Sequence, residues 1–385
     1  QIHKGNPSQM REAIRSDNWS TRSLAPAGLF GAACLLAGCG GGGGSSERSP
    51  ERTSPASQPA SPDSSTSKSA DLVTQPTDAT RANYLAGTVE RGAWDYLQQE
   101  RLACGFGLLS QDSRLDVASR AHAYYLARSS IDQDVFYTGH FENVNAPYAT
   151  GNAPWDRSAA AGFGPSVSEI LDLAEAHRFM GTVPAPAPVY TMNQAAGQKS
   201  VRNMINTVYH LAGAMREGRF AGNGSAYEVG LNSSTNFRTE QYRWGALVSD
   251  DPATDQRLGS GQVATYPCEG RADIWPSFYP AVESPNPRPD ITSTLVAVGT
   301  PIFLRSDVGQ KLTVTSWSVS ANGNEVPTRL ITAENDPAQQ VTANMAFILP
   351  DTALMPNTPY RVQAKGTVQG APFTKDFVFS TGNQN

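Results

Sequence analysis

The spacing of apolar residues predicts helices in the middle of the chain. Apolar residues recur at intervals of three and four over 84–102 and over 115–126, so each stretch would place one face in a core. The same spacing predicts a third helix over 198–215. We expect loops with short helical pieces between the second and third helices. Alternation of apolar and polar residues then predicts strands at 226–231 and 242–248.

Beyond residue 290 the pattern is that of strands alone. Short apolar runs are separated by turn residues at regular spacing, which is typical of two packed sheets. The sequence therefore predicts an immunoglobulin-like β-sandwich over 290–382, preceded by a stiff proline-rich linker over 283–289. The predicted strands are 302–305, 311–316, 318–321, 329–332, 343–348, 360–366 and 373–381.

The first eighty residues contain an export pattern followed by a segment with little to bury. Arginines precede a short apolar stretch that ends at Leu36-Ala37-Gly38-Cys39. This arrangement is typical of a secretory signal peptide, and its ending resembles the bacterial lipobox, in which cleavage precedes a lipid-carrying cysteine. Residues 1–38 are therefore predicted to be a lipoprotein signal peptide, and 39–80 a disordered tether rich in glycine, serine and proline. The alternative is a plain signal peptide with an incidental cysteine.

These features predict an extracytoplasmic protein of the bacterial cell envelope, anchored by lipid at the outer membrane or the cell surface. Its predicted partner is the lipid membrane, through acylated Cys39, because several acyl chains hold a protein firmly where one does not. The formal net charge is −5, and such an acidic balance argues against nucleic acid as a partner.

The four cysteines also favour export. Cys34 lies in the predicted signal peptide and Cys39 is the predicted site of lipidation, which leaves Cys104 and Cys268. A pair of cysteines in an oxidising compartment favours one disulfide. Two separate buried thiols are the alternative.

Several short motifs occur in an informative order between residues 84 and 282. They are Leu97-Gln98-Gln99-Glu100-Arg101, Ala121-His122-Ala123, Gly139-His140, Trp155-Asp156-Arg157, Ser168-Glu169-Ile170, Thr207-Val208-Tyr209-His210 and Glu228-Val229-Gly230-Leu231. Together they resemble the bacterial branch of the CAP superfamily, which includes cysteine-rich secretory proteins, antigen 5 and pathogenesis-related 1 proteins. The resemblance implies a CAP domain over 84–282, with an α/β fold in the form of a three-layer α/β/α sandwich.

The resemblance also implies a cleft in which two histidines and up to two acidic residues meet. His140, Glu169 and His210 occupy the matching positions. Where many relatives have a further acidic residue, this chain has Gln198-Lys199-Ser200-Val201, and Leu211 stands where an arginine often follows the second histidine. These departures weaken the expectation of catalysis more than that of the fold.

Two imidazoles and a carboxylate could bind a divalent metal such as zinc, although a binding role requires no cofactor. The same groups could act as general acids and bases. The alternative is a polar cluster whose hydrogen bonds hold the loops. Of the other histidines, His122 is predicted to be packed and structural, and His177, in a segment expected to be helical, is predicted to be exposed.

Three functions therefore remain open. The first is non-catalytic binding of a small ligand, such as a lipid or a cell-wall component, in the cleft. The second is a metal-assisted hydrolase that uses His140, Glu169 and His210, with Glu169 as ligand or general base. The third is a structural or adhesive role in the envelope. The sequence contains no Gly-x-Ser-x-Gly or His-Glu-x-x-His motif that would favour a familiar hydrolase.

Overall fold

The structure is a computed structural model of the 385-residue chain. It describes residues 82–133, 136–179, 188, 190–232, 237–251 and 253–383. The predicted signal peptide, tether and lipidated Cys39 lie outside these residues. Within them, no helix is long and apolar enough to cross a membrane.

Five helices occur in the part of the chain that the structure describes: Val89–Ala103 (α1), Ser113–Gln133 (α2), Pro154–Ala160 (α3), Gln194–Ile205 (α4) and Tyr209–Ala214 (α5). α1 and α2 confirm the first two helices that the spacing of apolar residues predicted. The predicted third helix is divided into α4 and α5 at Asn206 and Thr207, whose side chains bond to backbone carbonyl groups. The Asn206 amide donates to the Ser277 carbonyl at 2.6 Å, and the Thr207 hydroxyl donates to the Met204 carbonyl at 3.0 Å.

The three longest strands and one short strand form a four-stranded sheet in the order β1-β3-β4-β2. These strands are Ser110–Gln111 (β1), Val167–Phe179 (β2), Phe220–Asn232 (β3) and Phe237–Ser249 (β4). Both β2 and β3 pair antiparallel with β4, while β1 pairs parallel with β3. β2 is therefore an edge strand, and it carries Glu169.

The two strands predicted in this region are confirmed but are longer than predicted. β3 includes Gly222 and Gly224, which weaken a strand taken alone. A Cβ atom at Gly222 would lie 2.3 Å from the Asp116 amide nitrogen, and one at Gly224 would lie 2.5 Å from the Arg120 amide nitrogen. The missing side chains thus let α2 pack directly on the strand.

The remaining ten strands that the structure describes form three sheets, ordered β10-β9-β13-β14, β11-β12-β8-β5 and β6-β7. The predicted strands beyond residue 300 are confirmed with small shifts, except that 311–316 and 318–321 form a single strand. These sheets are consistent with an immunoglobulin-like domain. The strands are Ala264–Tyr266 (β5), Ser277–Phe278 (β6), Val298–Gly299 (β7), Ile302–Arg305 (β8), Leu312–Ala321 (β9), Asn324–Glu325 (β10), Thr328–Thr332 (β11), Met345–Pro350 (β12), Pro359–Val368 (β13) and Ala371–Ser380 (β14).

The predicted fold class, an α/β protein built on a three-layer α/β/α sandwich, is wrong. Strands account for more of the described chain than helices do, and they form several antiparallel sheets. Two physical reasons explain the error. Residues 167–179, where helical pieces were expected, form a long strand. In addition, β5 does not join the first sheet but pairs with β8, which lies beyond the proline-rich segment.

The disulfide between Cys104 and Cys268 is confirmed. It joins the residue after α1 to the loop after β5, across a sequence separation of 164. Nearby, the ring of Phe106 stacks on Phe303 at a centroid distance of 6.1 Å, which continues the core toward the C-terminal strands. The proposed domain limits at 84–282 and 290–382 stay a prediction.

Candidate functional site

The three residues predicted to form the cleft come from three separate elements. His140 lies in the loop before α3, Glu169 lies on edge strand β2, and His210 lies in α5. The centroids of the two imidazole rings are 6.1 Å apart, and His140 Nδ1 lies 3.0 Å from Glu169 Oε2. The structure thus brings the three side chains into one cluster, while their role in binding stays a prediction.

Glu169 is held by an arginine inside the fold. Arg157 Nη2 lies 2.8 Å from both carboxylate oxygens of Glu169, and both side chains are buried. Arg157 also donates from Nη1 to the carbonyl oxygen of His140 at 3.0 Å. One guanidinium therefore fixes the position of both Glu169 and the His140 backbone.

A second buried carboxylate, Glu142, organises the loop around His140. Its Oε1 accepts a hydrogen bond from His122 Nδ1 at 2.8 Å, and its Oε2 accepts from the amides of Thr150 and Gly151 at 2.6 and 3.2 Å. The other ring nitrogen of His122 lies 3.1 Å from the carbonyl oxygen of Gly139. The prediction that His122 is a packed, hydrogen-bonded structural residue is confirmed.

Glu169 is ionised at neutral pH. Burial raises the pKa of its carboxyl, but the nearby His122, the hydrogen bond from His140 and the charge of Arg157 outweigh burial and lower the pKa to about 2. A carboxylate of that pKa is a weak base, and both its oxygens already accept hydrogen bonds. This electrostatic environment disfavours Glu169 as a general base.

His210 is held by a residue that the sequence placed in a linker. His210 Nδ1 lies 3.2 Å from Glu283 Oε1 and 3.0 Å from Thr207 Oγ1. Glu283 is buried even though it follows the last strand of the predicted first module. The contact of Glu283 with His210 could not be inferred from the alternating prolines around Glu283, because its partners lie more than seventy residues earlier in the chain.

Asp172 supplies a second acidic residue near the histidines, and the sequence analysis missed it. It lies three residues after Glu169, so it points to the opposite face of β2. Its Oδ1 accepts a hydrogen bond from Asn203 Nδ2 at 3.0 Å, and burial raises the pKa of its carboxyl. The acid that was sought within Gln198–Val201 is thus provided from the strand that faces that helix.

The two site histidines are partly exposed, and their outer ring nitrogens have no described partner. The side chains of His140 and His210 are 28% and 13% exposed, and among the described residues neither Nε2 atom has a hydrogen-bond partner. His177, by contrast, lies at the end of β2 rather than in a helix. Its side chain is half exposed, which confirms its predicted surface position.

A site with three protein ligands for a metal is not formed by the described residues: no group of three or more His, Cys, Asp or Glu side chains could hold a metal ion there. The hydrogen bonds of Glu169 to Arg157 account for part of this, since they occupy the oxygens that a metal would need. The two Nε2 atoms remain as candidate ligands that could bind a metal only with further donors from outside the described residues.

No model of a protein family matches this chain, and none of the curated proteins matches it either. The resemblance to the CAP superfamily rests on the order of the sequence motifs and stays a prediction. Function is therefore proposed from the geometry of the described residues.

Proposed function

We propose that this chain is a non-catalytic binding protein, and that a small ligand binds to the paired imidazole edges of His140 and His210. One observation carries the proposal: Nδ1 of His140 is hydrogen-bonded to Glu169 and Nδ1 of His210 to Thr207, while both imidazole side chains are partly exposed and neither Nε2 atom has a partner among the described residues. Nδ1 of each ring also lies within 3.2 Å of a carboxylate oxygen, which favours the tautomer with its proton on Nδ1. In that tautomer each Nε2 atom carries a lone pair, which can accept a hydrogen bond from a ligand hydroxyl or amide group.

The environment of Glu169 favours binding over hydrolysis. Its carboxylate is fully ionised and held by Arg157, so it has little capacity to take a proton from water. Burial raises the pKa of the other nearby acid, Asp172, which lies on the face of β2 opposite Glu169 and accepts a hydrogen bond from Asn203. The carboxylates around the two rings therefore serve to position them.

The location in the envelope is part of the proposal and depends on the N-terminal motif that ends at Cys39. Its support is the charged, apolar and small-residue order of residues 11–39 and the glycine and serine tether that follows. Growth of cells with an alkyne-tagged fatty acid should label the wild-type protein and not Cys39→Ser. Equal labelling of both, or of neither, would contradict lipid anchoring at this cysteine.

The binding proposal is tested by thermal-shift and calorimetric titration of the full chain with soluble cell-wall glycan fragments and with phospholipid vesicles. We expect one of these probes to raise the melting temperature of the wild type and to have no effect on a His140→Ala, His210→Ala double variant. His177→Ala is the matched control, because it removes an exposed imidazole far along β2. An equal response of the wild type and the double variant, or no response to any probe, would contradict the proposal.

A metal-assisted hydrolase is the second candidate. It is favoured by one observation: metal-bound histidines commonly donate their other ring nitrogen to a carboxylate, and here Nδ1 of His140 is hydrogen-bonded to Glu169 while Nδ1 of His210 lies 3.2 Å from Glu283. Calorimetric titration with Zn²⁺ separates the two functions. Tight one-site binding that the double variant loses would support this candidate and justify a screen for hydrolysis, whereas equal heats for both proteins would reject it. A purely adhesive role is expected if neither test shows binding.

A further inference from the structure

The short helix that carries His210 is capped by a residue from a distant part of the chain. Val208, which precedes the helix, has no side-chain hydrogen bond of its own to the first turn. Instead, Glu283 Oε2 accepts from the Val208 amide at 2.9 Å, and Oε1 accepts from the amides of Tyr209 and His210 at 2.6 and 3.3 Å. A single carboxylate therefore satisfies three backbone donors that the helix leaves free.

Further contacts hold the same segment from the C-terminal side. The Ser277 carbonyl accepts a hydrogen bond from the Asn206 amide, whose oxygen in turn accepts from the Thr300 hydroxyl. The Tyr209 hydroxyl donates to Asp336 Oδ1 at 2.5 Å. Residues 206–210 are thus tied to three separate segments of the chain beyond residue 276.

The Glu283 carboxylate that caps the helix also contacts the imidazole ring of His210. Glu283 Oε1 lies 3.2 Å from His210 Nδ1, and the Glu283 side chain has no exposure to solvent. Both Glu283 oxygens already accept backbone hydrogen bonds, so the nearby carboxylate favours a proton on Nδ1 over a lone pair. Thr207 Oγ1, the hydrogen-bond partner of Nδ1, also lies 3.0 Å from the Met204 carbonyl oxygen, to which its hydroxyl can donate while it accepts from the ring.

We infer that Glu283 is a positioning residue that sets the ring orientation and the tautomer of His210, so that the C-terminal part of the chain completes the site. The use of the histidine pair for binding rests on the function proposed above. The position and protonation of the ring do not, because they follow from contacts within the protein. The consequence for chemistry is an Nε2 atom of His210 that carries a lone pair, on a ring whose centroid lies 6.1 Å from that of His140.

The test is the ¹⁵N spectrum of the full chain with labelled histidine, recorded without ligand at a fixed pH of about 8, where unperturbed imidazoles are neutral. Two-bond correlations show which ring nitrogen carries the proton, and His210→Asn assigns the signal. We expect wild-type His210 to be protonated at Nδ1. In Glu283→Ala we expect a shift toward the Nε2-protonated form, whereas Glu283→Gln should retain Nδ1 protonation because its amide oxygen can still accept.

The signals of His122 and His140 provide internal controls for folding, and Glu325→Ala is a matched control for loss of an exposed carboxylate. Nδ1 protonation that persists in folded Glu283→Ala would overturn the inference and leave Glu283 as a helix cap alone. If Glu283→Ala does not fold, the ¹⁵N spectrum of the wild type still tests the inference, because an Nε2-protonated His210 would overturn it. Since no ligand is present, these outcomes are independent of whether the proposed binding function is correct.

Discussion

Replacement of Glu169 by glutamine removes the charge from a carboxylate that lies inside the fold. In the wild type this carboxylate accepts two hydrogen bonds of 2.8 Å from Arg157 and one of 3.0 Å from His140. The substitution keeps the shape of the side chain, but it leaves the buried guanidinium of Arg157 without its nearest counter-charge. Removal of one partner from a buried ion pair typically costs about 3 to 5 kcal/mol.

The pKa of Glu169 provides an independent magnitude. It falls from an ordinary value of 4.5 to about 2 in the folded protein. A difference of roughly 2.5 units at about 1.4 kcal/mol for each unit corresponds to about 3 kcal/mol of stability at neutral pH. Both lines of reasoning therefore predict that Glu169→Gln lowers the free energy of unfolding by about 3 kcal/mol at pH 7.

The sign of the pH dependence follows from the direction of the shift. Because the folded pKa lies below the unfolded one, the stabilisation is complete above roughly pH 5 and is lost as the pH falls toward 2. The difference in stability between the wild type and Glu169→Gln should therefore fall to about half by pH 3. If the cause were uncharged, such as poorer packing of the amide, the difference in stability between wild type and variant would be the same at pH 7 and at pH 3.

The assay is urea unfolding of the oxidised full chain, followed by tryptophan fluorescence at several pH values between 7 and 3. Glu325→Gln serves as the control, since Glu325 is exposed on β10. The electrostatic account of this site would be refuted if Glu169→Gln lowered the free energy of unfolding by less than about 1 kcal/mol at pH 7, or by an amount that does not change with pH.

Three further predictions concern stability. Burial and the neighbouring acids Glu217 and Asp250 raise the pKa of Asp255 to about 6, so wild-type stability should decrease as the pH rises through 6. Asp255→Asn should therefore raise the free energy of unfolding by about 1 kcal/mol at pH 7.5, after allowance for solvent screening, and leave it unchanged at pH 4; urea unfolding at both pH values tests this. Cys104→Ser should cost about 3 to 5 kcal/mol in the same assay, and equal midpoints for oxidised wild type and variant would contradict a structural role for the disulfide. Gly224→Ala should cost about 1 to 3 kcal/mol, because its Cβ atom would lie 2.5 Å from backbone nitrogen of α2; an unchanged melting temperature would show that the helix can move away.

Local patterns in the sequence predicted those parts of the fold that depend on local physics. The periodicity of apolar residues is a property of neighbouring turns, so α1 and α2 were predicted where they occur. Short apolar runs between turn residues likewise identified β8, β9 and β11 to β14, but not the two-residue β10. The polar His122 among apolar helix positions predicted a buried, hydrogen-bonded side chain, because a buried imidazole must find partners.

Part of the candidate site was also predictable. Motif order singled out His140, Glu169 and His210, and the structure places them together. The other acidic residues around the cluster were harder to find. Glu142 and Asp172 stand in segments without a distinctive pattern, and the hydrogen-bond partners of their carboxylates lie 8 to 31 residues away in the chain.

The sequence by itself determined the helical and strand periodicities, the pairing candidates Cys104 and Cys268, and the residue types available for the cluster. Tertiary structure alone decided that 167–179 is an edge strand, that glycines may stand within β3, and that Glu283 reaches His210 from across a sequence separation of 73. The physical reason is the range of the interactions. Hydrophobic periodicity depends on residues that are close in the sequence. Strand pairing, close backbone approach and the partner of a buried charge depend on segments that come together only when the chain folds.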